Sequence, residues 1–386
     1  MTCNQQPYDV IIAGAGPVGL LLGLRLQQLG LNFILLEKRR EPFQHSRSIG
    51  IHPPSLRLFD RLQVSKPLLR EGICIQTGLA LYDKTRELGM LDFGRCPKPY
   101  SFILSLPQFH TERILKEALL ERRPGCLRES LEVVDFREHP THVTVTVRDA
   151  AGIVATVRSR FLVGCDGKNS RVRTRAGLAF RGWTYPGHYA MGDFRDETAF
   201  GCKAVIYVDN EGLVESFPLP GSRRRWVAEL NGTSGPASPV DFCRVIENRT
   251  GLQVDASTQS MYSGFKAGHY LAETFYAGRV LLAGDAAHLI SPIGGQGMNL
   301  GWLNAWDMGE WLGQTVYRTC PDMKRLRKWD IKARLRSRKA MRRAGFNMAL
   351  GHKTRWPGLR RRLIALLLKP PFNKRLARRF TMEGLE

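Results

Sequence analysis

The residues best placed to do chemistry in this 386-residue chain lie between Arg279 and Gly301, in RVLLAGDAAHLISPIGGQGMNLG. Four apolar residues, Val280 to Ala283, suffice for a buried strand bounded by turn residues. Gly284 and Asp285 end it, which puts a carboxylate at the C-terminal edge of a strand, where α/β sheets bind ligands. Pro292 with Gly294, Gly295 and Gly297 lets backbone come close to a flat ligand. From Met298 and Asn299 onward, Leu300, Leu303 and Ala305 predict a helix whose N-terminus faces that ligand. Free N–H groups and a partial positive charge there suit an anion. His288 is the one side chain of the stretch that resembles a general base, and a structural role is expected for it. The plain alternative is a strand, a turn and a helix joined by a glycine-rich linker.

Two further motifs weigh against that alternative. Tyr8 to Ala13 (YDVIIA) predicts a short buried strand. GAGPVG follows, with Gly14, Gly16, Pro17, Val18 and Gly19, and then an apolar helix from Val18 to Leu29. Phe33 to Leu36 predicts a second strand, ending in Glu37 and Lys38. In such a βαβ unit one glycine makes the turn, the next lets pyrophosphate reach the backbone, and the third lets helix pack on strand. The acid binds a ribose hydroxyl. The third motif is FLVGCDGKNSRVR, Phe161 to Arg173: an apolar strand ending in Asp166-Gly167, then a helix. Asp166 alone could be an N-cap; beside the other two motifs it reads as a further cofactor contact.

Together the three motifs resemble the signature set of the single-component FAD aromatic hydroxylases, the group A flavoprotein monooxygenases with the para-hydroxybenzoate hydroxylase fold. The resemblance implies an α/β chain: a Rossmann-like FAD-binding domain, an inserted β-sheet substrate domain and a C-terminal helical section. The FAD domain is expected to be discontinuous, over 1–75, 101–179 and 271–319. The substrate domain is expected over 76–100 and 180–270, and the basic helical section over 320–386. By resemblance Glu37 holds the adenosine ribose, and Asp166 and Asp285 lie along the ribityl and pyrophosphate part. Pro292 and the 294–299 turn frame the flavin ring. Arg47, in HSRSIGIHPPSLRLFDRL, matches the mobile-loop arginine of the family, and Gln108 matches a glutamine that touches FAD. The implied activity uses non-covalent FAD, NAD(P)H and O2 to hydroxylate or epoxidise an electron-rich substrate through a flavin C4a-hydroperoxide.

The resemblance also bears on substrate. In the para-hydroxybenzoate branch a Ser and an Arg on one strand grip the substrate carboxylate. Aligning GLVESFPLPGSRRRW puts Phe217 and Leu219 at those places. That predicts a pocket without a carboxylate anchor, suited to a phenolic polyketide, a quinone precursor or a heteroaromatic. Tyr207 is a further candidate over the pocket, against a plain core role. Arg225 falls where the family has a flavin-proximal arginine, against a surface role. A flavin-dependent halogenase and an FAD oxidase or reductase remain alternatives on the same fold. The WxWxIP segment of tryptophan halogenases is missing.

The elements that must position these residues are consistent with this. Leu79 to Tyr82 and Leu88 to Phe93 predict strands entering the substrate sheet, and Phe109 to Leu120 predicts a helix. Leu131 to Phe136, His142 to Arg148 and Ile153 to Arg158 predict a meander. Residues 180–270 read as strand-rich, with Ala204 to Asp209, Gly212 to Leu219 and Trp226 to Leu230 antiparallel. The eight cysteines are scattered without metal-ligand spacing, so reduced thiols and no metal site are expected. No apolar run reaches ~18 residues, the length a membrane span needs. No leader-like segment precedes the strand at residue 8, and a cytoplasmic location is expected. From Cys320 onward the chain carries 21 Lys and Arg against 4 Asp and Glu, a net +17 of the total +23. This section is open to three readings: an outer helical layer with a solvated basic face, a helix drawn to anionic membrane, or nucleic-acid binding. No specific nucleic-acid motif supports the last.

Overall fold

The computed structural model describes residues 8–41, 48–84, 86–230, 238–318, 320–351 and 355–385, with 350 and 351 by backbone alone. Its first sheet is built on five parallel strands in the order Leu127–Glu129, Phe33–Glu37, Tyr8–Ala13, Val154–Gly164, Val280–Leu282. The central strands are buried on both faces, which is why they read as unbroken apolar runs. Their register puts Ala13 beside both Leu36 and Gly164, and Gly164 beside Leu282. Four strands therefore end at one level: three lead into the three candidate motifs, and the fourth, Phe33–Glu37, ends in the acid of the first. The helix Pro17–Gln28 packs on this sheet between helices Gln108–Arg122 and Gln296–Thr315.

The meander is present, but its last strand and the strand of the third motif are one, Val154–Gly164. Its first half pairs antiparallel with Val143–Asp149 and its second half parallel with Tyr8–Ala13. The polar run Arg158-Ser159-Arg160 lies between the two stretches expected as separate strands. Instead Ser159 is buried and bonds the Phe161 carbonyl at 2.8 Å, so the strand continues.

The second sheet runs His288–Leu289, Met261–Ala272, Phe180–Arg195, Arg223–Leu230, Gly212–Leu219, Ala204–Asp209, Leu79–Asp83, Arg86–Leu91. Only Ala204–Asp209 with Leu79–Asp83 is a parallel pair. Within the stretch read as strand-rich lies a helix, Pro239–Thr250, capped by the Ser238 hydroxyl on the Asp241 N–H and closed by Gly251 at φ +74°. Its Phe242 and Ile246 cover one face of the sheet together with Tyr207, Val214 and Trp226. The other face looks toward the first sheet.

The basic section forms helices Met323–Gly351, Pro357–Leu367 and Phe372–Phe380. Leu326, Trp329, Ala333, Ala340, Ala344 and Met348 are buried on the first. Arg336, also buried, bonds Asn304 and Asp307 at 2.9 Å each. No helix among the described residues is long and apolar enough to cross a membrane.

Candidate functional site

At the common end of the four strands opens a cavity of about 650 Å³ that reaches the inner face of the second sheet. The glycine fingerprint forms one end. Gly14 has φ +102°, and a Cβ there would lie 2.5 Å from the Cys165 carbonyl oxygen. A Cβ on Gly19 would lie 2.1 Å from the Gly14 oxygen, so this glycine lets helix meet turn and does not line the cavity. Gly16 differs: a Cβ there meets nothing within 4 Å. It stands at the N-cap of the Pro17–Gln28 helix, over open space beside unpaired N–H groups, which is a cradle for a diphosphate.

Glu37 closes the neighbouring strand and lines the cavity. Its carboxylate accepts the Ala15 N–H at 2.9 Å and both the N–H and Nε of Arg39 at 3.0 Å. Burial pushes its pKa up, but these donors outweigh burial and hold it below the usual range. Asp166 takes the Val172 N–H at 3.1 Å on one oxygen, while its buried Oδ1 finds no partner among the described residues. Asp285, Lys38, Pro17 and Val18 also reach the cavity. Gln108 does too, with its amide held at 2.7 Å by Glu112. The open cradle at Gly16, the orphaned Asp166 oxygen and the acid at Glu37 together fit a dinucleotide with a diphosphate bridge.

Beyond the diphosphate end the wall is made by Pro292, Gly295, Gly297 and Met298. Gly295 adopts φ +63° at the N-cap of the Gln296–Thr315 helix, so the helix begins two residues earlier than expected. Asn299 does not line the cavity. Its side chain accepts the His52 N–H at 2.8 Å and donates to the Gly50 and Gly295 carbonyls at 2.8 and 2.9 Å. Its side chain is a clamp holding the turn against strand Gly50–Ile51. Arg47 lies outside the described residues.

On the second sheet Phe217 lines the cavity, with Met191, Val227, Phe265 and Ile293 around it. Leu219 is buried and off the cavity. Tyr207 is turned to the opposite face, stacked on Tyr82 with centroids 5.3 Å apart, because alternation puts it with Val214 under the Pro239–Thr250 helix. Leu219 is thus away from the pocket, while Tyr207 takes the core role and not the place over the pocket. Arg225 lines the cavity and is 1 % exposed, which ends the surface reading. Asp193 grips it at 2.6 and 2.7 Å, a matched buried pair. His288 is buried beside Phe275 and Asn304, away from the cavity, and burial lowers its pKa to about 4.

Two cavity groups were missed. His52, fully enclosed and with pKa lowered to about 4 by burial, sits against the 294–295 turn. Nothing in IGIHPP signals it. Glu215 was legible: it is a lone carboxylate on the inward register between Leu213 and Phe217. Among the described residues no group of three or more His, Cys, Asp or Glu could hold a metal.

Residues 7–344 match the family model described as "FAD binding domain". The 12-dehydrotetracycline 5-monooxygenase/anhydrotetracycline 6-monooxygenase of Streptomyces rimosus is 31% identical over 391 residues, covering 96% of this chain and 75% of that protein. The solved structure of the OxyS anhydrotetracycline hydroxylase from Streptomyces rimosus superposes with a TM-score of 0.81 at 30% identity, over 98% of this chain and 76% of that one. A dialkyldecalin synthase of Streptomyces rugosporus is 32% identical over 327 residues, covering 81% of this chain and 66% of that protein. The relatives give no support to the halogenase or oxidase alternatives. The chain belongs to the group A flavoprotein monooxygenases, enzymes that bind FAD and use NAD(P)H and O2 to oxygenate aromatic compounds.

Proposed function

We propose that the substrate is a flat, largely apolar, polyketide-like aromatic, bound between the Pro292 turn and the inner face of the second sheet. The observation that carries this reading is the composition of that wall. Phe217 lines the cavity, at the place that the alignment by resemblance gives to the carboxylate grip of the para-hydroxybenzoate branch, and the buried cation beside it, Arg225, is already matched by Asp193. Apolar surface removed from water drives such binding at about 25 cal/mol per Å². The relatives named for tetracycline precursors act on compounds of this shape.

FAD, when bound, supplies hydride acceptance and O2 activation for transfer of one oxygen atom to an electron-rich carbon. The chain's own residues place and shield it. Gly16 and the first turn of the Pro17–Gln28 helix hold the diphosphate, Glu37 the ribose, and Asp166 and Asp285 the polyol. The N-terminus of the Gln296–Thr315 helix, which borders the cavity, would favour negative charge on a ring bound there. Arg47 and Gln108 are assigned by resemblance to the mobile segment and to a cofactor contact. This reading assigns 76–100 and 180–270 to substrate binding and the first sheet to the cofactor. The test is NADPH oxidation with and without phenolic polyketides, with peroxide measured alongside. Substrate-stimulated oxidation with little peroxide supports it; oxidation indifferent to every aromatic, with all reducing equivalents recovered as peroxide, rejects it.

For the basic section we propose a peripheral contact with anionic lipid. Leu359, Leu363 and Leu366 are exposed at i, i+4 and i+7 of one helix, with Trp356 before them and Arg362 between. An apolar stripe flanked by cations lies at a bilayer interface. Arg361 is otherwise engaged, 2.7 Å from Asp83, so the attraction rests on its neighbours.

A further inference from the structure

Strand Gly212–Leu219 alternates between two environments. Val214 packs under the Pro239–Thr250 helix and Ser216 bonds Arg224 at 3.2 Å, while Glu215 and Phe217 line the cavity. Glu215 is therefore one of the cavity's wall groups, 3 % exposed. Its ladder partners are Ile206 on one side and Val227 on the other, and Met191 follows Val227 on the next strand. The carboxyl thus interrupts an apolar row, and its Oε1 finds no hydrogen-bond partner among the described residues.

A buried polar atom without a partner costs free energy, so a fold keeps one where something else supplies the bond. A carboxyl group in such a place holds its proton: burial raises its pKa to about 8. The charged and titratable groups around it do not oppose this. Arg225 is held by Asp193, and His52 across the cavity is neutral. Tyr189 and Glu229 lie one row further along the sheet, and Lys266 is exposed at the mouth. A protonated carboxyl offers one donor and one acceptor on adjacent atoms, without charge.

We propose that Glu215 is the polar anchor of the substrate, pairing through its carboxylic acid with a neighbouring carbonyl and hydroxyl on a neutral aromatic ring system. The inference rests on the aromatic-substrate reading above and narrows it. A hydroxyl beside a carbonyl presents the complementary acceptor and donor once the hydroxyl turns from its internal bond to that carbonyl, a cost the paired contact must exceed. A carboxylate substrate presents only acceptors and brings a negative charge into an otherwise apolar, desolvated row. Glu215 therefore selects for hydroxy-ketone or hydroxy-quinone rings and against benzoates.

The test titrates the FAD-loaded enzyme with three probes, reading the shift of the flavin absorption band. The probes are 8-hydroxy-1-tetralone, which carries the adjacent hydroxyl and carbonyl, tetralin, which carries neither, and 4-hydroxybenzoate. The wild type is expected to bind the hydroxytetralone at least tenfold more tightly than either other probe. Glu215→Leu should lose at least tenfold on the hydroxytetralone and nothing on tetralin, while Glu215→Gln, which keeps a donor and an acceptor, should stay within about threefold. Above pH 8 wild-type binding should weaken, approaching tenfold per unit, as the carboxyl loses its proton, and Glu215→Gln should not follow. Equal binding of the hydroxytetralone by wild type and Glu215→Leu overturns the anchor alone, as do superimposable pH profiles for wild type and Glu215→Gln. If Glu215→Leu fails to hold FAD, those two pH profiles decide. Failure of the wild type to bind any of the probes overturns the aromatic-substrate reading and the anchor with it.

Discussion

Alanine at Gly14 and at Gly16 should have opposite consequences, although the two sit two residues apart in one loop. At Gly14 the backbone has φ +102°, and the new Cβ would fall 2.5 Å from the Cys165 carbonyl oxygen and 2.8 Å from its carbon. Left-handed backbone costs alanine about 1–2 kcal/mol, and forcing the atom in costs about 1–3 kcal/mol. Neither neighbour is a flexible tip, because Cys165 follows a strand fixed in parallel register with Tyr8–Ala13. Gly14→Ala should thus destabilise the FAD-free protein by about 2–5 kcal/mol. At Gly16 φ is −70° and the added carbon has open space. The only penalty is the N-cap exchange, about 1 kcal/mol or less. That space is the diphosphate's, however, and displacing one charge-assisted N–H bond costs about 1.5–3 kcal/mol. FAD affinity should fall roughly 10- to 150-fold. Denaturant unfolding of the FAD-free proteins and fluorescence titration with FAD separate the two effects. A Gly16→Ala protein that binds FAD as tightly as wild type, or unfolds as readily as Gly14→Ala, would refute the assignment of this turn.

Three further perturbations follow from the geometry. Glu37 has a folded pKa held below its unfolded value, so its contribution to stability is complete above about pH 4.5 and is lost as pH falls through the lower folded value; Glu37→Gln should flatten that acid limb and weaken FAD, as followed by flavin release against pH. Asp193→Ala removes the carboxylate that grips a guanidinium 1 % exposed and should cost up to about 3–5 kcal/mol, more than Asp193→Asn, by urea denaturation. Replacing Leu359, Leu363 and Leu366 by Ser, or Arg362 by Gln, should reduce sedimentation with anionic vesicles at low salt, and ~1 M salt should abolish it for wild type as the Debye length shrinks to ~3 Å. No sedimentation of the wild type leaves these helices as an outer layer only.

The strands, the glycine turn and the acid at Glu37 were legible because each is a local matter: apolar runs of strand length, a turn needing glycine, a carboxylate one strand on. The clamp made by Asn299 was not legible because its partners, Gly50 and His52, lie nearly 250 residues away in sequence. The choice between the pocket and core readings of Tyr207 turned on a feature the strand itself does not carry. Alternation divides a strand into two faces but does not say which one a helix will cover, and the Pro239–Thr250 helix went unnoticed despite its Ser-Pro start and glycine stop. The basic section looked like a run of solvated charge, yet Arg336 and Arg361 have carboxylate partners in distant segments, Asp307 and Asp83.

Oxygen transfer is the claim on which the rest depends, and one relative of similar identity carries a different name, a dialkyldecalin synthase. The direct measurement is turnover of a phenolic polyketide with NADPH under 18O2, with product mass and NADPH consumption followed together. One labelled oxygen atom in the product for each NADPH consumed is the predicted result. A product of unchanged mass, or NADPH consumed with all the label in peroxide, would contradict it.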